Sequence, residues 1–97
     1  MDIEFEYAGT TFIWHDAKAL ANERKHGVEF FEAVTSFYDP LLVLTDAGEG
    51  AEVRDKAIGF SAGGHLLTVV HIEIEGEFIR IISAWRASAA EEVLYAQ

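Results

Sequence analysis

The sequence predicts an α+β fold, in which a small antiparallel β-sheet of three to five strands is packed by two N-terminal helices and one C-terminal helix. Three observations predict it. Apolar and polar residues alternate near the N-terminus and again after residue 53, as they do in half-buried strands. Between these regions apolar residues recur at helical spacing. Near the C-terminus, Ser88 and Glu91 form a capping-box pattern, which is typical of a helix start.

The N-terminal part of the chain predicts a hairpin followed by a helix. Residues 3–7 and 11–14 alternate around Ala8 and Gly9, which favours two strands joined by a tight turn. The helix is expected to begin with Asp16 as its N-cap and to end at Gly27, because cations in a last turn and glycine at the C′ position favour termination. The residues expected to share one face of this helix are Ala17, Leu20, Ala21 and Arg24.

A second helix is predicted over residues 29–38. Its apolar residues recur three or four positions apart, which places them on one helix face. These residues are Phe30, Ala33, Val34 and Phe37. Asp39 and Pro40 are expected to end the helix, because a residue that precedes proline is disfavoured in the helical conformation.

The second half of the chain predicts a β-meander and a last helix. The β-runs are residues 53–60, 66–75 and 77–85. Residues 41–44 are a further candidate strand. The runs are separated by residues 61–64 and by Glu75 and Gly76, and both separators favour hairpin turns. The last helix is expected to open at Ser88.

Composition predicts one cytoplasmic domain over residues 1–97. Apolar residues make up 51% of the chain, so it is not disordered by composition. No apolar run approaches the roughly 18 residues that span a bilayer, and the acidic, alternating N-terminus is unlike a signal peptide. Since cysteine is absent and the four histidines lack metal-ligand spacing, we expect no disulfide, no metal site and no other cofactor.

Charge limits how the chain could handle a nucleic acid. Seventeen acidic residues face seven basic ones, for a formal net charge of −10. Affinity for a polyanion is built largely from phosphate neutralisation by Lys and Arg. Any binding of RNA must therefore depend on a local cluster of cations.

The chain resembles the BrnT family, the toxin half of bacterial toxin–antitoxin pairs, over nearly its whole length. The segments 25–28 (KHGV) and 80–84 (RIISA), in this order, are specific. The N-terminal residues that carry the resemblance are 12–18, Asn22, 25–28, Phe30, Glu32, Ala33, Phe37, Asp39 and Pro40. The C-terminal residues that carry it are Arg54, 57–59, 69–71 and 79–84.

The resemblance implies a RelE-like fold and a metal-independent endoribonuclease that inhibits translation by cutting RNA. It also implies a partner, a BrnA-type antitoxin whose ribbon-helix-helix domain lets the complex repress its own operon. Operator DNA would then be contacted only through the antitoxin, and the chain would work as a dimer or hetero-oligomer, away from membranes.

One departure from the family favours an alternative function. After Ser83 and Ala84 the family usually carries a run of arginines, whereas residues 85–92 here are WRASAAEE and retain only Arg86. This sequence favours a catalytically weakened homologue that acts as an antitoxin-binding co-repressor. The ribonuclease remains the first hypothesis because other basic residues are predicted to cluster on the sheet.

The turn lengths predict that cluster. If Glu75 and Gly76 form a two-residue loop, His71 lies directly opposite Arg80. The preceding turn allows two registers, which place either Lys56 or Arg54 opposite His71. Both registers have the same parity, and residues two apart on a strand share a face. The side chains predicted to share one face, about 4.5–5.5 Å apart where they are directly opposite, are Arg54, Lys56, His71, Arg80 and Arg86.

These residue types suit RNA cleavage without a metal. Arginine is permanently charged and bidentate towards phosphate oxygens, so Arg54, Arg80 and Arg86 are the candidates for stabilising the phosphorane. His71 could transfer a proton, since imidazole changes charge near neutral pH. The alternative is a solvated cross-strand pair of His71 and Arg80 neutralised by nearby glutamates.

Four further residues are candidate substrate contacts. Tyr95 could approach the site from the last helix, and Lys56 belongs to the strand cluster. Lys25 is a candidate phosphate contact and equally a solvated surface lysine. His26 is expected chiefly to interact with the last carbonyls of its helix, and it is kept as a substrate contact beside Lys25.

Overall fold

Within residues 1–48 and 54–97, the ranges that the computed structural model describes, the chain forms six strands and three helices. In chain order they are β1 (Asp2–Tyr7), β2 (Thr10–His15), α1 (Asp16–His26), α2 (Phe30–Ser36), β3 (Val43–Asp46), β4 (Asp55–Phe60), β5 (Leu66–Ile74), β6 (Phe78–Arg86) and α3 (Ala89–Ala96). The α+β class and the order of helices and strands are confirmed. The predicted count of three to five strands is wrong, because both the hairpin and β3 join one sheet with the meander. The predicted start of β4 at residue 53 lies outside the described residues.

The six strands form one mixed sheet in the order β1-β2-β6-β5-β4-β3. The hairpin β1–β2 and the meander β4 to β6 are antiparallel, as predicted, and β3 extends the meander by pairing antiparallel with β4. The expectation of a fully antiparallel sheet is wrong at the pair β2–β6, where Thr11, Phe12 and Ile13 pair in parallel with residues 78–80. Turn signals determine local pairings, but they do not determine along which edge a distant hairpin docks.

The ends of α1 lie close to their predicted positions. Gly27 has a left-handed φ of 72° and its N–H donates to the Glu23 carbonyl at 2.8 Å, which closes the helix as predicted. The predicted N-cap is wrong by one residue, because His15 occupies that position and its Nδ1 accepts from the Ala17 N–H at 3.2 Å. Asp16 is the first helical residue, and its carboxylate accepts a bond from the same N–H at 2.8 Å.

The face of α1 that carries the four residues predicted to lie together is turned to solvent. Ala17, Ala21 and Arg24 are exposed, and Leu20 is 49% exposed. The buried residue of the helix is instead polar Asn22. A search for apolar periodicity fails here because α1 is fixed to the sheet largely by hydrogen bonds.

The main core lies between α1, α2 and one face of the sheet. Its buried apolar residues come from β2, the loop between α1 and α2, α2 itself and the three central strands. They are Phe12, Trp14, Val28, Phe30, Ala33, Val34, Ala57, Leu67, Val69, Ile81 and Ala84. Each large side chain of this kind contributes about 1.5–3 kcal/mol when fully buried. The helical spacing predicted for α2 is confirmed by the burial of Phe30, Ala33 and Val34.

The last helix covers part of the other sheet face. Glu91 contacts Lys56 and Trp85, whose neighbours in sequence Ala57 and Ala84 belong to the core face. Because successive strand residues point to opposite faces, α3 lies on the face away from α1 and α2. The capping box predicted at its start is present, with the Ser88 and Glu91 side chains each bonded to the other's backbone N–H. None of the helices in the described ranges is long and apolar enough to span a bilayer.

Candidate functional site

The predicted strand register is wrong by one residue. The β5–β6 turn holds three residues, because Ile74 pairs with Phe78 and the Glu77 N–H donates to the Ile74 carbonyl at 2.9 Å. Glu75 and Gly76 have left-handed φ values of 48° and 69°, as a tight hairpin turn requires. His71 therefore lies opposite Ile81 rather than Arg80, and a one-residue slip moves a side chain to the other face.

The register of the preceding turn also differs from both alternatives. Asp55, rather than Arg54 or Lys56, lies opposite His71. The turn is longer than a two-residue loop because the Ser61 N–H donates to the His65 carbonyl at 2.9 Å. A polar anchor holds it in place, since the Glu32 carboxylate of α2 accepts from the Ser61 hydroxyl at 2.7 Å.

These two slips divide the predicted cluster. Lys56 and Arg80 lie on the face that carries α3, whereas His71 lies among the core residues. Arg80 is ion-paired with Asp2 of β1, Nη2 to Oδ2 at 3.0 Å. Arg54 is exposed and precedes β4. The prediction that all five side chains converge is therefore wrong.

His71 is part of the packed interior. His71 is only 4% exposed, and its ring meets the ring of Phe37 edge-on, with 4.9 Å between the ring centroids. Burial lowers the pKa of His71, against the opposing effects of the Val69 carbonyl and of the Asp55 and Glu73 carboxylates. The imidazole is therefore neutral and screened from a solvent-borne substrate at neutral pH.

Tyr95 serves to attach α3. Its hydroxyl donates a 2.6 Å hydrogen bond to Oδ2 of Asp39, and this bond raises the pKa of Tyr95. The ring also meets Phe60 edge-on at 5.4 Å. The same Asp39 carboxylate accepts from the backbone N–H groups of Leu41 and Phe60, so Tyr95 binds a structural anchor rather than the other predicted residues.

Three of the predicted residues do come together, in an open cleft where the last turn of α1 meets the end of β6. The cleft has a volume of about 680 Å³, and it is lined by Lys25, His26, Ser83, Trp85 and Arg86. Of these, Lys25, His26 and Arg86 are predicted site residues. Ser83 and Trp85 belong to the cleft without having been predicted as site residues.

Asn22 places α1 against β6. β2 pairs with residues 78–80 of β6. Farther along β6, the side-chain amide of Asn22 forms the backbone hydrogen bonds that a neighbouring strand would otherwise form. Its Nδ2 donates to the Ala84 carbonyl at 2.9 Å and its Oδ1 accepts from the Ala84 N–H at 3.0 Å. The same amide accepts from the Ser83 hydroxyl at 2.9 Å and donates to the Val28 carbonyl at 3.0 Å. The cleft residues of α1 are thereby fixed beside Ser83.

Trp85 forms the aromatic wall of the cleft. Its ring lies 5.9 Å from that of His26, centroid to centroid, and Nζ of Lys56 lies 5.9 Å from the indole centroid, within cation–π range. Its Nε1 donates to Oε1 of Glu91 at 3.0 Å. The indole therefore presents a fixed face beside an imidazole and an ammonium group.

Glu91 is a buried anion behind that wall. Although burial opposes the shift, hydrogen bonds from the Ser88 backbone N–H and the Trp85 indole help to lower the pKa of Glu91 to about 2. Its Oε2 lies 3.4 Å from Nζ of Lys56. The carboxylate is thus ionised at neutral pH and partly neutralised by Lys56, so it fixes the cleft rather than repelling a substrate from it.

The open side of the cleft is positively charged in an acidic protein. Lys25 and Arg86 are exposed, and neither forms an ion pair with any residue in the described ranges. Arg24 lies in the same last turn of α1. Such a site can bind phosphate through two cations, stack a base on an indole and move a proton through an imidazole.

Sequence signals for the missed residues were present but weak. Asn22 and Ser83 belong to the segments that resemble the family, and Trp85 follows directly. The capping-box pattern predicts one role of Glu91, whereas its carboxylate also binds Trp85 and Lys56.

Comparison with known proteins places the chain among toxins. The family model for the ribonuclease toxin BrnT of type II toxin–antitoxin systems matches residues 14–91. The crystal structure of the ribonuclease toxin BrnT from Brucella abortus superimposes with a TM-score of 0.61 and 25% sequence identity. The match covers 77% of this chain and 92% of the Brucella chain. No curated protein matches this sequence.

Proposed function

The chain belongs to the BrnT family of ribonuclease toxins from type II toxin–antitoxin systems, and from this premise we propose that it cleaves RNA in the cleft between α1 and β6. The observation that carries this proposal is the convergence of Lys25, His26 and Arg86 around the fixed indole of Trp85. A RelE-like ancestry of the fold and inhibition of translation belong to the same proposal, as the resemblance implies.

The proposed reaction is an internal phosphoryl transfer. The ribose 2′-oxygen attacks phosphorus, the bond to the 5′-oxygen breaks, and the products are a 2′,3′-cyclic phosphate and a 5′-hydroxyl. His26 takes the proton of the attacking 2′-hydroxyl, and the departing 5′-oxygen receives a proton from water. The negative charge that gathers on the phosphorane is stabilised by Arg86 and Lys25, while Trp85 stacks on the neighbouring base.

This reaction needs no metal ion, because its cations are supplied by side chains. The groups that line the cleft are an ammonium, a guanidinium, an imidazole, a hydroxyl and an indole. In the described part of the chain, no three His, Asp or Glu side chains are close enough together to hold a metal jointly. The chemistry of the cleft thus favours phosphate binding by cations over metal coordination.

A second candidate function is supported by the sequence that follows Arg86. Residues 87–92 contain no cation and two glutamates, and the chain carries a formal net charge of −10. RNA affinity depends on the number of phosphates neutralised, so this cleft would bind RNA weakly. A weakened toxin would still serve as the antitoxin-binding co-repressor. Its partner would be a BrnA-type ribbon-helix-helix antitoxin, which would itself contact operator DNA.

The test compares two pairs of variants in cleavage of a structured messenger RNA at low ionic strength. If RNA is cleaved in the cleft, Arg86→Ala and His26→Ala should each lower the cleavage rate by about a hundredfold or more, because removing one such stabilising group has an effect of this order. Arg80→Ala is a matched control on the same strand, on the other face. If Arg80→Ala and His71→Ala lose activity while the cleft variants keep it, the site predicted from the turn lengths would replace the cleft. Absence of cleavage by the wild type would favour the co-repressor.

A further inference from the structure

A second concave surface lies between α1 and α2, apart from the cleft. It is a groove of about 280 Å³, lined by Trp14, Ala19, Leu20, Glu23, Glu29, Phe30 and Phe31. Trp14 and Phe30 form a buried floor, and two large apolar side chains stand half-exposed beside it, Leu20 at 49% and Phe31 at 50%. None of these residues lines the cleft.

The apolar walls of the groove are firmly held. The ring of Phe31 meets the rings of Phe5 and Trp14 edge-on, each at 5.0 Å between centroids. Leu20 is the largest apolar residue of α1, yet it projects away from the core. Single exposed apolar residues are ordinary on protein surfaces, but converging ones around a cavity mark interaction sites.

The rim of the groove is acidic. Glu23 and Glu29 are both exposed, and neither forms an ion pair in the parts of the chain that the structure describes. Glu29 occupies the N-cap position of α2 without a side-chain capping bond, so the helix does not engage its carboxylate. An apolar cavity with an acidic rim is complementary to an apolar side chain flanked by Lys or Arg.

Charge also decides between the classes of occupant. The phosphates of RNA would be repelled by two uncompensated carboxylates. In a symmetric pair of this chain the same patch would face itself, so the acidic rims would oppose each other. A basic protein segment would be repelled neither as RNA phosphates are nor as a second acidic rim is. Family membership implies a protein partner, because a toxin of a type II system is paired with a protein antitoxin.

We propose that the groove between α1 and α2 docks a basic amphipathic segment of the antitoxin, which inserts one apolar side chain between Leu20 and Phe31. This inference rests on the partner in the proposed function, and it is independent of which residues cleave RNA. Helix-in-groove recognition combines such an apolar anchor with charges at the rim.

The experiment measures binding of a BrnA-type ribbon-helix-helix antitoxin, the partner in the proposed function, by titration calorimetry, with both proteins purified separately. Leu20→Glu introduces a charge at the anchor and should weaken binding at least about tenfold, as loss of an interface hot spot does. Leu41→Glu is the matched control, since Leu41 is 70% exposed and lies outside the groove. Because both positions are exposed, we expect unchanged thermal unfolding.

A second variant tests the rim. Glu23→Lys combined with Glu29→Lys should weaken binding and flatten its dependence on salt, whereas Glu77→Lys combined with Glu92→Lys, with the same charge change elsewhere, should have a smaller effect.

Equal affinity of Leu20→Glu and wild type would overturn the proposal, as would absence of binding by the wild type. A dimer that sedimentation detects in the wild type but not in Leu20→Glu would assign the groove to a second copy. RNA cleavage, measured separately, should be unchanged in Leu20→Glu, so failure of one proposal is distinguishable from failure of the other.

Discussion

The indole Nε1 of Trp85 donates a 3.0 Å hydrogen bond to Oε1 of Glu91, which fastens the wall of the cleft to the first turn of α3. Glu91 is only 7% exposed, and its other oxygen lies 3.4 Å from Nζ of Lys56. The short last helix thereby supports the cleft from behind, although it contributes no lining residue.

The ionisation of Glu91 should contribute to stability at neutral pH. The pKa of Glu91 is lowered from 4.5 to about 2 in the folded chain, so the unfolded chain binds a proton first as the pH falls. The contribution is complete above about pH 4.5 and is lost as the pH falls towards 2. A shift of this size corresponds to roughly 3–4 kcal/mol, as an upper bound.

The Glu91 prediction is tested by urea unfolding of wild type and Glu91→Gln at pH 7 and pH 3.5. We expect Glu91→Gln to be less stable at pH 7 and to lose less stability on acidification than the wild type. Glu92→Gln, at the exposed neighbouring position, is the control and should follow the wild type. A parallel loss of stability in wild type and Glu91→Gln would show that this carboxylate is not the group that is protonated.

Asn22→Ala should destabilise the protein by about 1–3 kcal/mol, because it leaves buried backbone groups of Ala84 without partners. The same change should reduce RNA cleavage even in the fraction that remains folded, since Lys25 and His26 lose their fixed distance from Ser83. Thermal unfolding and single-turnover cleavage below the midpoint temperature measure the two effects. Lys18→Ala, at an exposed position of α1, should change neither.

Most helices and strands could be predicted from local signals, whereas the site could not. The left-handed Gly27 and the Ser88 capping box act within a few residues, and both are confirmed. The strand register depends on whether Glu77 belongs to the turn, and that one residue decides whether His71 shares a face with Arg80 or with Ile81. A bulge between Val70 and His71 shifts the pairing again farther along the strands.

The cleft was harder to predict because its geometry depends on long-range contacts. Asn22 reaches Ala84, which is 62 positions away in sequence, and no periodicity reports such a contact. The chemistry of Lys25, His26 and Arg86 makes each a candidate site residue, but their convergence depends on how α1 docks. The types of residue in the cleft can therefore be predicted from the sequence, whereas the way in which these residues come together is determined by the fold.

The buried imidazole of His71 should make stability fall as the pH drops below neutrality. Burial lowers the pKa of His71 from 6.5, so at mildly acidic pH the unfolded chain binds a proton that the folded chain excludes. Stability is therefore complete above about pH 6.5 and declines below it. His71→Leu should show a smaller difference in unfolding free energy between pH 7.5 and pH 5.5 than the wild type. Urea unfolding at the two pH values checks this, and equal differences would contradict the assignment.

The shortage of cations beyond Arg86 predicts weak binding of RNA with a shallow dependence on salt. Each phosphate contact contributes a slope of roughly 0.7–0.9 in log affinity against log salt concentration. Adding basic residues to the segment that follows Arg86, with Ala87→Arg and Ala89→Arg, should raise RNA affinity at low salt and steepen the slope by up to about two such contacts. Fluorescence anisotropy with a single-stranded RNA measures both quantities.

The control is Ala17→Arg with Ala21→Arg, which adds the same charge on the exposed side of α1. If both pairs raise affinity equally, net charge governs binding and the cleft does not. If only the pair after Arg86 acts, and cleavage rises with it, then the number of cations beside the cleft limits both RNA binding and cleavage.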